Sequence, residues 1–200
     1  MSRIIVDSIR NSSATSDGIT LSSDGKVAFP NTSTGKILQV KTNTTRDATG
    51  SVHCNPSNTY VDITHQNVTI TPSATTSKIK ISFHQFGETA SSPHQYLLAV
   101  KRAISGGATT VIEAPAAGNR GRGMTMLTDN YNADYDSTAE IAQMSNYLDS
   151  PNTTSAVTYT VQIKNHESTN YYYYNRVVRS NDNGPSERGL SWITVEEVAA

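Results

Sequence analysis

The hexapeptide KIKISF, residues 78–83, alternates apolar and polar side chains without a break. Ile79, Ile81 and Phe83 point one way and Lys78, Lys80 and Ser82 the other, because successive side chains of a strand leave opposite faces. A strand with one dry and one wet face belongs to an antiparallel sheet, since parallel strands are covered on both sides. The same period recurs in AVTYTVQIK, where Val157, Tyr159, Val161 and Ile163 share a face. KILQVKT, TTVIEA, YYYYNRVV and LSWITVEEV read as further strands. QYLLAVKRAI is apolar enough for a helix, but SSP before it and SGG after it favour a strand. Gly106 and Gly107 let that strand pair with TTVIEA as a hairpin. TYVDITHQNVTITP reads as two short strands, with Val68 and Ile70 alternating in the second, and GMTMLT as one more. STAEIAQMSNYLD fits helix and strand equally well. From Lys36 onward about nine or ten strands follow, at the turn spacing of a sandwich or barrel.

Composition agrees with short strands and many turns. Charged residues make up 16% of the chain, against about 25% in an average globular protein. Ser, Thr and Asn fill the gap, and they suit turns and pleated surfaces. Such a mixture also suits an extracellular or virion protein. The formal net charge is −1, and no basic tract interleaves with aromatics, so no nucleic-acid partner is expected. Cys54 is the single cysteine, which rules out an intrachain disulfide. No stretch approaches the roughly 20 apolar residues of a membrane-spanning helix, so no membrane insertion is expected. The opening MSRIIVDSIRNSS has an apolar patch of only Ile4, Ile5 and Val6, too short for a signal-peptide core. The expected route is synthesis in the cytoplasm of the producing cell and release by assembly or lysis.

Residues 1–35 stand apart from residues 36–200. They hold one apolar strand, which includes Ile4, Val6 and Ile9, and the hairpin ITLSSDGKVAF. A three-residue loop at Ser23, Asp24 and Gly25 sets Leu21 opposite Val27 and Ile19 opposite Phe29, so four apolar side chains share a face. A two-residue Asp-Gly turn would divide them between two faces. An isolated hairpin is marginal in water, and polar turn-formers flank this one. Ile4, Val6, Ile9, Ile19, Leu21, Val27 and Phe29 are therefore expected at an interface, with further copies of the same chain wound about a common axis.

Chemistry is thinly signposted. Cys54 lies next to His53 in sequence, which is not the spatial pairing a nucleophile needs. His53, His65, His84, His94 and His166 show no metal-ligand spacing. Asp129, Asp134 and Asp136 in DNYNADYD lack the glycine and the spacing of a calcium loop. GNRGRG, residues 118–123, lacks the lysine of a phosphate-binding loop and reads as an exposed, flexible loop. No catalytic residue, metal or cofactor is expected. The run NYYYYN puts Tyr171 and Tyr173 on one face and Tyr172 and Tyr174 on the other. One pair belongs in the core; the other suits a subunit interface or a sugar-stacking surface. Tyr172 and Tyr174 are taken as the outward pair, with Arg120, Arg122, Tyr131 and Tyr135 in surface-recognition loops. The sequons at Asn31 and Asn67 are expected by chance in a Ser/Thr-rich chain.

RIIVDSIRNSSATSDGITLSSDGKVAFP resembles the N-terminal motif of virion structural proteins of tailed phages, especially marine ones. GKILQVKT, TYVDITHQNVTITPSATTSKIKIS, LDSPNTTSAVTYTVQIK and the ending RGLSWITVEEVAA resemble a C-terminal module of the same proteins. The match weakens between Phe83 and Tyr147. The resemblance implies an all-β chain: an N-terminal strand and hairpin that docks to the virion, then an antiparallel β-sandwich. That sandwich would be jelly-roll-like, similar to trimeric heads of the C1q and tumour-necrosis-factor type. It implies a non-enzymatic homotrimer, a fibre or appendage on the particle. Its partners would be itself, other tail or capsid proteins, and a host-surface glycan or protein. Two alternatives stand beside it: a capsid cement protein without host contact, and a polysaccharide-degrading enzyme using the acids of DNYNADYD.

Overall fold

A computed structural model describes residues 7–9, 15, 19–21, 23, 27–28, 36–46, 50–54, 59–89, 96–129, 139–165, 170–179, 181–182, 184 and 186–200. Every regular element among them is a strand, and every pairing is antiparallel. β1 (Ser8–Ile9), β2 (Ile19–Leu21) and β3 (Val27–Ala28) form a small sheet in that order, separate from the other strands. Leu21 pairs with Val27 and Thr20 with Ala28, the register that the three-residue loop requires.

The remaining strands build two sheets packed face to face. The spine of the first is β7 (Lys78–Thr89), with β12 (Glu140–Asp149) along one edge. Its other edge is shared by β14 (Asn170–Tyr174) at one end and β15 (Ser191–Val198) at the other. β5 (Ser51–Cys54) flanks β14, β4 (Ile37–Thr45) flanks β15, and β11 (Thr128–Asp129) flanks β12. In the second sheet β8 (Tyr96–Ile104) lies beside β13 (Val157–Asn165), and β6 (Val61–Ile70) follows β13. β9 (Thr109–Ile112) and β10 (Thr125–Met126) divide the far edge of β8. The chain is an all-β sandwich.

The core lies between the two sheets. Ile79, Ile81 and Phe83 are buried there, as their alternation requires, together with Val157, Tyr159, Val161 and Ile163. Leu98, Val100, Ile193 and Val195 complete its centre. QYLLAVKRAI is a strand, and it pairs with TTVIEA.

One segment departs from the expected reading and one open reading is settled, and a bulge lies behind both. TYVDITHQNVTITP is a single strand, β6, not two. Asp62 pairs with Gln162 and Asn67 with Thr160, so residues 63–66 lie opposite Val161 alone. The bulge includes His65 at φ 67°. It adds three residues and so reverses the parity of the strand: Val61 packs inward before it, Val68 and Ile70 after it. STAEIAQMSNYLD forms β12, where Met144 pairs with Phe83 and Tyr147 with Ile81. One extra residue there, with Asn146 at φ 61°, again swaps the faces.

Candidate functional site

The small N-terminal sheet leaves apolar side chains in water. Ile9 is 56% exposed and Leu21 41%, with Ile19 half-buried. Val27 lies in β3 opposite Leu21. Ile4, Val6 and Phe29 lie outside the described residues. The strands are two or three residues long, far short of what holds a sheet together without a partner surface.

The tyrosine run faces the opposite way from the sequence-based assignment. Tyr172 and Tyr174 are buried, and Tyr171, 46% exposed, leads the outward pair. The cause is local. A Cβ on Gly87 would come 2.5 Å from the Tyr172 hydroxyl and 2.2 Å from the Tyr173 carbonyl oxygen. A Cβ on Gly50 would overlap the Tyr174 ring. The two glycines leave room on the inner face for these rings. Burial pushes the Tyr172 hydroxyl well above its ordinary pKa, so it stays neutral. On the outer face Tyr171 lies against the His53 ring at 4.7 Å between centroids, and Tyr173 follows at 6.3 Å. The Arg176 guanidinium sits 4.3 Å over the Tyr173 ring. An outward row of His53, Tyr171, Tyr173 and Arg176 can stack on planar or sugar-ring surfaces.

The glycine-rich loop is tied down. Arg122 pairs with Glu113 at 2.9 Å. The Tyr60 hydroxyl donates to the Arg122 carbonyl oxygen and, at 3.1 Å, to Glu113. Lys164 lies 3.5 Å from Glu113 and covers the Tyr60 ring at 4.2 Å. Burial, and then the Glu113 charge, raise the Tyr60 pKa, so it acts as a neutral donor. The Arg122 guanidinium is thus engaged within the chain, whereas Arg120 is exposed and bonds the nearby Ala117 carbonyl oxygen at 3.1 Å. Tyr131 and Tyr135 lie outside the described residues.

At the side of the sandwich where β9 faces β12, an apolar cleft of about 360 Å³ opens between Ile112, Pro115, Met124, Met144 and Tyr147. Its charged lining residue, Glu113, is already bound as above. Elsewhere, Asp149 accepts from Arg102 at 2.7 Å and from the Tyr159 hydroxyl at 2.8 Å, joining β8, β12 and β13. Cys54 is buried, which pushes its thiol up to about 12 and keeps it protonated and unreactive. Among the described residues, no group of three or more His, Cys, Asp or Glu could hold a metal ion. Asp134 and Asp136 lie outside them. No protein-family model matches the chain, and no curated protein sequence matches it.

Proposed function

We propose that this chain is a non-enzymatic structural protein of a tailed-phage virion, a homotrimeric fibre or appendage. Residues 1–35 assemble the copies and dock them to the particle, and the sandwich projects outward to meet the host surface. The observation that carries the reading is the N-terminal sheet. It exposes Ile9 and Leu21, pairs among the described residues with no strand of the sandwich, and is too short to persist alone. A segment of that kind belongs to an assembly. The motif order shared with phage virion proteins supplies the assembly's identity, and the outward aromatic row supplies a surface for glycan contact.

Light scattering on the full chain tests the oligomer. Three copies of 21.6 kDa give a mass of about 65 kDa, and Leu21→Asp is expected to lower it towards one copy while far-UV circular dichroism stays β-type. Mass spectrometry of particles purified from producing cells tests the location. A monomeric wild-type chain, or its absence from the particles, overturns the reading.

A further inference from the structure

The edges of the two sheets are not equally guarded. β5 and β9 have four residues each, and β10 and β11 two. β12 carries a bulge at Asn146, and β6 one at His65. The β6 edge is further covered, since the Asn43 amide donates to the carbonyl oxygens of His65 and Asn67 at 2.7 Å each. Short strands, bulges and covered carbonyls are the means by which sheets avoid unwanted pairing.

β4 is the exception. It is nine residues long and, among the described residues, pairs only with β15. From Gln39 to Thr45 its ladder runs without a break; the one irregularity is the extra residue Leu38 at its start. Ile37, Leu38 and Val40, three apolar side chains within four residues, are between 42 and 53% exposed. The polar residues Gln39 and Asn43 reach the other way, to Thr71, Glu197 and β6. The apolar end of β4 is thus left bare while its polar side is fastened.

We infer that Ile37, Leu38 and Val40 of β4 form part of the contact between copies of this chain, continuous with the N-terminal hairpin. The inference rests on the proposed self-assembly and extends it into the sandwich. Chain connectivity selects a second copy as the occupant. Nine residue steps join Ala28 of β3 to Ile37 of β4, and an extended chain covers about 30 Å in that distance. Wherever the hairpins of several copies meet, the apolar starts of their β4 strands are held within that reach of the same point. Lys41 then sets the type of contact. A charged lysine on an edge strand opposes continued strand addition, so apolar side chains, not an extended ladder, join the copies, and the assembly closes.

Two full-length variants test this by light scattering across a dilution series: Val40→Lys, and Leu21→Asp for the hairpin. Val40→Lys is expected to raise the dissociation concentration at least tenfold with an unchanged circular dichroism spectrum. A second measurement does not rely on a charge. Cys54 is buried and protonated, so the new thiol of a full-length Val40→Cys variant is the reactive one. A short bis-maleimide is expected to link its copies, and to leave a Thr69→Cys variant, altered on the opposite sheet, as single chains. If Leu21→Asp dissociates the chain while Val40→Lys does not, and Val40→Cys fails to cross-link, the inference falls and the hairpin reading stands. If Val40→Lys alone dissociates it, the β4 contact stands, and its continuity with the hairpin falls together with the hairpin's role. A wild-type monomer overturns both.

Discussion

Tyr171 and Tyr172 are chemically identical neighbours with opposite duties. Tyr172 is 0% exposed and fills the space over Gly87; Tyr171 stands in water beside His53. Removing a buried aromatic ring costs about 3–5 kcal/mol, a large part of the 5–15 kcal/mol that holds a typical domain. Tyr172→Ala is therefore expected to lower the unfolding free energy by about 4 kcal/mol, and Tyr171→Ala by less than about 1 kcal/mol. Denaturant titration of the two variants checks the difference. The strand and its two-sided tyrosine pattern are legible in YYYYN. Which side faces in is not, because the deciding residues, Gly50 just before β5 and Gly87 in β7, are far away in sequence and only the fold brings them alongside.

At the scale of elements, the alternation of KIKISF and AVTYTVQIK translates directly into β7 and β13. It fails where a bulge reverses the parity inside a strand, as it does in β6 and β12. An odd insertion leaves each half regular and puts the halves out of phase, so β6 reads as two strands and β12 fits helix and strand alike. The loops at the strand ends were less legible still. GNRGRG looks free in sequence, yet nearby Glu113 and remote Tyr60 fasten Arg122, and remote Lys164 holds Glu113 in turn. A similar clasp closes the other end of the sandwich. The buried Glu197 carboxylate of β15 accepts from the Ser73 amide at 2.7 Å, the Ser73 hydroxyl at 2.6 Å and Gln39 of β4 at 2.6 Å. Burial alone would raise its pKa, but the hydrogen bonds from Ser73, Gln39 and Ser77 outweigh burial and hold it below the ordinary 4.5. A depressed carboxyl pKa stabilises the fold above the unfolded value, and that stability is lost as pH falls through the folded one. Glu197→Gln is expected to cost about 2 kcal/mol at neutral pH. It should also flatten the loss of stability below about pH 4.5, since the titrating group is gone. Unfolding curves between pH 3 and 7 would show both effects.

Across the whole molecule, the first sheet is closed by its last strand in chain order. β15 lies between β4 and β7, so it supplies one full ladder to each. Deleting residues 191–200 is expected to abolish cooperative unfolding, not to trim an edge, because β4 loses its partner strand and Ile193 and Val195 leave the core. A thermal melt of that shortened chain, compared with the full chain, checks this. An edge strand such as β5 would be a milder loss, having four residues and a single neighbour.

The position of β15 also governs the order of events in a living cell. A ribosome adds roughly 5–20 residues per second, and nearly 150 positions separate the end of β4 from the start of β15. For the many seconds between them, a nascent chain carries β4, apolar at its start, with its β15 ladder not yet formed. Partner copies that met at this stage would meet through the wrong edge. On the proposed self-assembly, the late arrival of Ser191–Val198 would work as a timer: β4 would gain its β15 ladder before its apolar start met another copy.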